Sequence, residues 1–189
     1  MQNIVTSISE RIDCLRQVKT HLLIAIDGRC AAGKTSLAAQ LQEKYDCNVI
    51  HMDHFFLRPQ QRTQERLQMA GGNVDHERFL EEVLKPISAG KSFSYRPFDC
   101  KRQKLAEPIS INPCAINIIE GSYSCHQKLW DYYDLRLFLT VDSQEQLRRI
   151  IIRDGVEKAE LFRRQWIPLE ERYFAEYKIA ERCDACYIN

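Results

Sequence analysis

No stretch of this sequence approaches the ~18 consecutive apolar residues that a membrane-crossing helix needs, and Met1 to Thr6 combine neither a basic start nor a long apolar run. Membrane spanning and export drop out, and the chain is expected to act in the cytoplasm. Charge of one sign is lacking too: 27 Lys and Arg stand against 26 Asp and Glu, a formal net charge of +1. No general field draws the molecule toward nucleic acid, and no basic stripe or stacking set of aromatics replaces it, so any anion site must be local. Internal repeats and low-complexity tracts are missing as well. Cysteine is not scarce, with eight in the chain, but a disulfide framework belongs to small exported chains, so free thiols are expected. The only close pair, Cys183 and Cys186, has the spacing of a zinc half-site, yet no second pair stands nearby and it falls in a short apolar segment at 183–188.

What remains is an ordinary globular composition, 44% hydrophobic and 28% charged over 189 residues, enough to bury a core and close to the usual size of one domain. The expectation is a single domain over 1–189. Apolar residues Ile4, Ile8, Ile12, Leu15 and Val18 recur at helical spacing and predict a lead-in helix within 1–20. Leu22 to Ile26 is apolar without alternation, which suits a strand buried on both faces of a parallel sheet. A helix is expected over 34–45, a strand over 47–51, and a long polar loop over 53–72, of a length that usually carries function. A helix over 75–84 should stop before Pro86. Residues 93–100 alternate and suggest an edge strand or hairpin arm. Residues 115–119 and 135–141 form further buried strands, followed by a helix over 143–153 capped by Ser143 and a final strand near the end. Strands alternating with helices argue for a mainly parallel sheet covered on both faces, a three-layer α/β/α domain.

Gly28-Arg29-Cys30-Ala31-Ala32-Gly33-Lys34-Thr35 follows the first buried strand and opens a helix. That spacing and placement define a phosphate loop: glycines let successive backbone N–H groups face phosphate oxygens, and the helix N-terminus adds partial positive charge. Residues Gly28 through Ser36 are therefore the expected ATP-binding segment. Lys34 would reach the β and γ phosphates, and Thr35 would offer its hydroxyl to Mg²⁺. The small Cys30 side chain suits a crowded turn. In open α/β sheets ligands collect beyond the carboxyl ends of strands, and three acids stand there: Asp27, Asp53 and Glu120. Glu120 could hold Mg²⁺ directly or through water, and Asp53 could take or orient the proton of an attacking hydroxyl.

Together with these residues, Asp53-His54-Phe55-Phe56, Asn73-Val74-Asp75-His76, Tyr95-Arg96-Pro97-Phe98-Asp99, Ile119-Glu120-Gly121 and Asp134 to Phe138 followed by 147–154 make the chain resemble the uridine kinase, phosphoribulokinase and bacterial pantothenate kinase group of P-loop kinases. The closest likeness is to its uridine kinase-like branch, over about 22–188. The resemblance implies a P-loop fold, ATP and Mg²⁺ as cofactors, and a small hydroxyl-bearing acceptor, with a nucleoside foremost. It also implies catalytic roles for Asp53, Lys34 and Arg153, metal contacts from Thr35 and Glu120, and an acceptor pocket built from Asp53, Phe56, Asp75, Phe98 and Arg149. Asp75 would hold ribose hydroxyls. A lid over about 154–166 would contribute arginines such as Arg163 or Arg164, although Arg148, Arg149 and Arg153 also fit one solvated helix face. His76 and His126 receive no role. The sequence departs from the family where the base-reading aromatic and histidine normally follow the tyrosine-to-aspartate segment. Here Cys100-Lys101-Arg102-Gln103 stands instead, and Ile150 occupies the place of one lid arginine. The alternative is an ATP-binding regulatory or assembly ATPase with no small acceptor. Neither nucleic acid nor membrane is an expected partner, and homo-oligomerisation stays open.

Overall fold

The computed structural model describes residues 1–189. In chain order it comprises α1 (Gln2–Arg16), β1 (Leu22–Gly28), α2 (Lys34–Tyr45), β2 (Asn48–His51), α3 (Gln64–Gln68), α4 (His76–Phe79), α5 (Lys85–Ser88), β3 (Phe93–Tyr95), β4 (Phe98–Asp99), β5 (Lys104–Leu105), β6 (Ile109–Ile111), β7 (Ile116–Glu120), β8 (Leu135–Thr140), α6 (Ser143–Asp154), α7 (Val156–Leu161), α8 (Ile167–Tyr177), α9 (Ile179–Arg182) and β9 (Ala185–Ile188). Five strands form one parallel sheet in the order β2-β7-β1-β8-β9. β1 and β7 are buried along their whole length, as continuous apolar runs in a parallel sheet require.

Period-two alternation along β1 splits the core into two layers. Leu22, Ile24 and Ile26 pack with Ile4, Ile8 and Ile12 of α1 and with Leu37 and Leu41 of α2. Leu23 and Ala25 face Val83, Leu84, Phe174 and Ile179 on the opposite side. The result is the three-layer α/β/α arrangement, with the β1, β2 and β7 carboxyl ends opening on the same edge. No helix is long and apolar enough to cross a membrane.

Several boundaries differ from the sequence expectation, each for a local reason. The lead-in helix ends at Arg16, and Val18 is 80% exposed; an apolar residue at helical spacing does not prolong a helix that has left the core. Pro86 does not stop its helix. Residues Leu80–Leu84 widen into a π-helical turn, and Pro86 then sits in the first turn of α5, where its missing N–H is not needed. The cap of α6 is Asp142, whose carboxylate accepts from Gln144 N at 2.9 Å and Glu145 N at 3.3 Å, so Ser143 is the first helical residue. Residues 93–100 break into two short arms: β3 pairs with β6 and β4 with β5. The polar loop at 53–72 contains short helical turns, including α3, capped by Thr63.

Candidate functional site

Gly28 ends β1 with φ +134°, and a Cβ there would lie 1.9 Å from Leu139 O. Only glycine lets the loop leave the sheet in contact with β8. Lys34 opens α2 from a Gly33 cap with no side-chain partner, so the first-turn N–H groups remain available to an anion. The Lys34 ammonium folds back on its own loop, donating to Gly28 O at 2.7 Å, Arg29 O at 2.9 Å and Ser122 Oγ at 3.3 Å. All three of its donors are used. Burial first, and then Glu170, push the Cys30 thiol up to about 12, so Cys30 is a small packing residue rather than a nucleophile.

The acids at the strand ends converge on this lysine. β2 and β7 pair so that His51 sits beside Glu120. Glu120 Oε1 accepts from Thr35 Oγ1 at 3.1 Å and lies 2.5 Å from His51 Nδ1, a contact that raises the imidazole pKa. Asp53 follows β2 in a single 3₁₀ turn (Met52–Phe55). It opens into the cavity but is ringed by protein, and poor solvation raises its carboxyl above the usual range, with Lys34 opposing and Glu120 and Glu170 adding to the rise. Gly121, at φ +135°, leaves this corner clear: a Cβ would lie 2.9 Å from Met52 Cβ and 3.5 Å from Asp53 Oδ1.

Lys34, Thr35, Asp53, Glu120 and Gly121 line one cavity of about 920 Å³ that also receives Cys30, Ala31, Gly33, Ser36, Phe56, Arg149 and Arg153. Arg149 bonds Glu145 at 2.8 Å and Ala31 O at 3.3 Å; Arg153 bonds Asp154 at 2.8 Å and lies over Phe162. Arg163 and Arg164 instead pair with Glu160 on exposed helix and stand off the wall. Asp75 and Phe98 are likewise buried outside the lining. Asp75 caps α4, accepting from Arg78 N at 3.1 Å, and its other oxygen accepts from Gln61 Nε2 at 2.7 Å. Phe98 lies beneath the Arg62 guanidinium at 5.7 Å.

The oxygens of Thr35 and Glu120, 3.1 Å apart, suit a hard divalent cation. No three His, Cys, Asp or Glu side chains form a cage by themselves. Mg²⁺ held here would take its remaining ligands from nucleotide phosphates and water.

Sequence reasoning passed over several wall residues. Glu170 of α8 is 4% exposed and accepts from Cys30 N at 3.0 Å and from Ser122 Oγ at 2.6 Å. Its neighbour Glu171 holds Arg29 through two bonds, at 2.6 and 3.1 Å. No local signal marks them, since α8 meets the phosphate loop only in the folded chain. Arg62, Asn73, Cys100, Gln103 and Trp166 also line the cavity. His51 had a signal, its place at the carboxyl end of a strand.

The profile of the phosphoribulokinase / uridine kinase family matches residues 23–160. The chain belongs to this family. Uridine-cytidine kinase B of Dictyostelium discoideum is 25% identical over 150 residues, covering 74% of this chain and 61% of that longer protein. The uridine kinase of Macrococcus caseolyticus is 26% identical over 147 residues, covering 72% and 70%. Among solved structures, a "possible uridine kinase" from Bacillus stearothermophilus superposes with TM-score 0.67 over 96% of this chain and 99% of that one, at 19% identity. The D-glycerate 3-kinase of Cryptococcus neoformans gives TM-score 0.69 over 99% and 94%, at 14% identity. The structural likenesses establish the P-loop kinase fold, and the family assignment makes the protein a nucleotide-binding phosphotransferase of the uridine kinase-like branch.

Proposed function

We propose that this kinase moves the γ-phosphoryl group of ATP, with Mg²⁺, to a hydroxyl of a small acceptor, nucleosides standing first among candidates because the curated relatives are uridine and uridine-cytidine kinases. The observation that carries the proposal is the convergence of Lys34, Thr35–Glu120 and Asp53 on one cavity at the sheet's carboxyl edge.

In this reading Lys34 exchanges the Gly28 and Arg29 carbonyls for phosphate oxygens, and the loop N–H groups hold the chain of phosphates. Thr35 and Glu120 would hold Mg²⁺, which when bound neutralises phosphate charge. Phe56 forms part of the acceptor wall. Asp53 accepts the acceptor's hydroxyl proton as the new O–P bond forms, and the electron pair of the breaking P–O bond leaves with ADP. Its raised pKa suits a group that must gain a proton. Arg153 and Arg149 act from α6 on the transferring phosphates. The cytoplasm is the proposed site of action.

ADP release by the purified chain with Mg²⁺ and ATP, measured across nucleosides and other small alcohols, tests this directly. Asp53→Asn is expected to cost about 10²–10⁴-fold in acceptor-dependent release while leaving ATP binding intact. Slow release that ignores both acceptor and substitution would make the protein a regulatory ATPase instead.

A further inference from the structure

We propose that Arg62 binds an anionic group of the acceptor, so that the substrate class is a hydroxyl compound bearing a carboxylate or a phosphate away from its reacting hydroxyl. The inference rests on the phosphotransferase reading and departs from it at the acceptor, which it takes to be anionic rather than a neutral nucleoside.

Three arginines reach the cavity wall: Arg62, Arg149 and Arg153. Two are already neutralised, Arg149 by Glu145 and Arg153 by Asp154, each at 2.8 Å. Arg62 is the one without a carboxylate partner. It is nonetheless held in place. Its Nε donates to Leu57 O at 3.0 Å, and its guanidinium plane lies over the Phe98 ring at 5.7 Å. These contacts use one of five donors and fix the head group while leaving Nη1 and Nη2 free. A guanidinium anchored at Nε and backed by an aromatic ring is a pre-oriented fork for a planar carboxylate or a phosphate.

Its place is the acceptor end. Arg62 belongs to the segment that follows Asp53 and Phe56, and all three line the same cavity. Cys100 and Gln103 occupy the stretch where relatives read a base, and both reach the wall beside it. Recognition of a neutral ribose is poorly served here. The carboxylate suited to paired hydroxyls, Asp75, is 3% exposed, has both oxygens engaged and lies off the wall. Arg62 itself is exposed at the cavity mouth, so a neutral nucleoside would leave its guanidinium to water, whereas an anionic acceptor would gain a charge-assisted, bidentate contact there.

The test compares three acceptor sets by ADP release from the full chain with Mg²⁺ and ATP: neutral nucleosides and sugars, nucleoside and sugar monophosphates, and hydroxy acids. Wild type, Arg62→Gln and Arg62→Lys are assayed side by side. We expect one anionic set to lead, and Arg62→Gln to raise the KM for that acceptor about ten- to a hundredfold with the KM for ATP unchanged. Arg62→Lys should recover more of a phosphate acceptor than of a carboxylate acceptor, because only the latter depends on the planar fork. If neutral nucleosides lead and Arg62→Gln leaves their KM untouched, the proposal is overturned while the kinase stands. If no set stimulates release although ATP binds, both fall together.

Discussion

Glu170→Gln removes one negative charge from the phosphate cradle while keeping a side chain of the same size. Glu170 occupies backbone that the proposed function assigns to a nucleotide phosphate: its Oε2 takes the Cys30 N–H at 3.0 Å and its Oε1 takes the Ser122 hydroxyl at 2.6 Å. An N–H bonded to a charged acceptor contributes about 1.5–3 kcal/mol, against about 0.5–1.5 kcal/mol for a neutral one. Binding of ATP must first give up the Glu170 contact, so the substitution should lower that cost by about 1–1.5 kcal/mol, or roughly tenfold in Kd. The same bond stabilises the fold without nucleotide, and its weakening should lower Tm by roughly 2–6 °C for a chain of this size. Calorimetric titration with Mg²⁺ and ATP, paired with thermal unfolding without nucleotide, reads both quantities. The signs are opposed, which makes the result decisive. If Glu170 instead holds the loop in its binding shape, Glu170→Gln would lower Tm and weaken ATP together, and the competition argument would be refuted.

Gly121→Ala places a methyl 2.9 Å from Met52 Cβ at φ +135°; a stability loss of about 2 kcal/mol or more is expected in urea unfolding, with activity falling further because Asp53 Oδ1 lies 3.5 Å from the added carbon. Acid should destabilise the protein through His126, which stacks on His76 with ring centroids 4.1 Å apart. Burial, then the His76, Arg66 and Lys128 charges, hold its pKa down at about 3, with Glu77 opposing. Below pH 6.5 the unfolded chain takes up a proton that the folded chain refuses, so stability is lost as pH falls from 6.5 toward 3, by about 1.4 kcal/mol at pH 5.5. Asp27 works the other way. Burial raises its folded value to about 6, so acidification from 6 toward 4 relieves part of its cost and offsets some of the loss. Denaturant midpoints between pH 7 and 5.5 should flatten in His126→Gln, and an unchanged slope would remove His126 from the account.

Much of the fold is legible because its signals are local. The unbroken apolar runs of β1, β7 and β8 announce a buried parallel sheet, and the glycine spacing from Gly28 to Gly33 announces the turn that must follow β1. Asp53 and Glu120 are legible as strand-end acids for the same reason. The errors fall where a local rule yields to its surroundings. Pro86 is a helix stop in isolation, but a π turn before it removes the need for its N–H. Ser143 is an acceptable cap, yet Asp142 stands one residue earlier and takes two amides. Asp75 and Phe98 are present in the motifs, but motif spacing carries no information on Gln61, which occupies Asp75, or on Arg62, which stands between Phe98 and the cavity. Glu170 and Glu171 lie over 130 residues from the loop that they contact, and no window on the sequence joins them to it.

The same long-range connection explains how the site is kept together. Asp27 is fully buried beneath the phosphate loop. One of its oxygens accepts from Gly28 N at 2.6 Å and Tyr123 N at 3.0 Å, the other from Cys125 N at 2.8 Å and the Tyr173 hydroxyl at 2.7 Å. One carboxylate thus joins the start of the phosphate loop, the turn that follows Glu120 and helix α8. α8 meets the loop through Tyr173 by way of Asp27, and directly through Glu170 and Glu171. α8 continues directly from the helical turn that carries Phe162 and Trp166, both on the cavity wall, so one stretch of helix joins that wall to the phosphate loop and to Asp27.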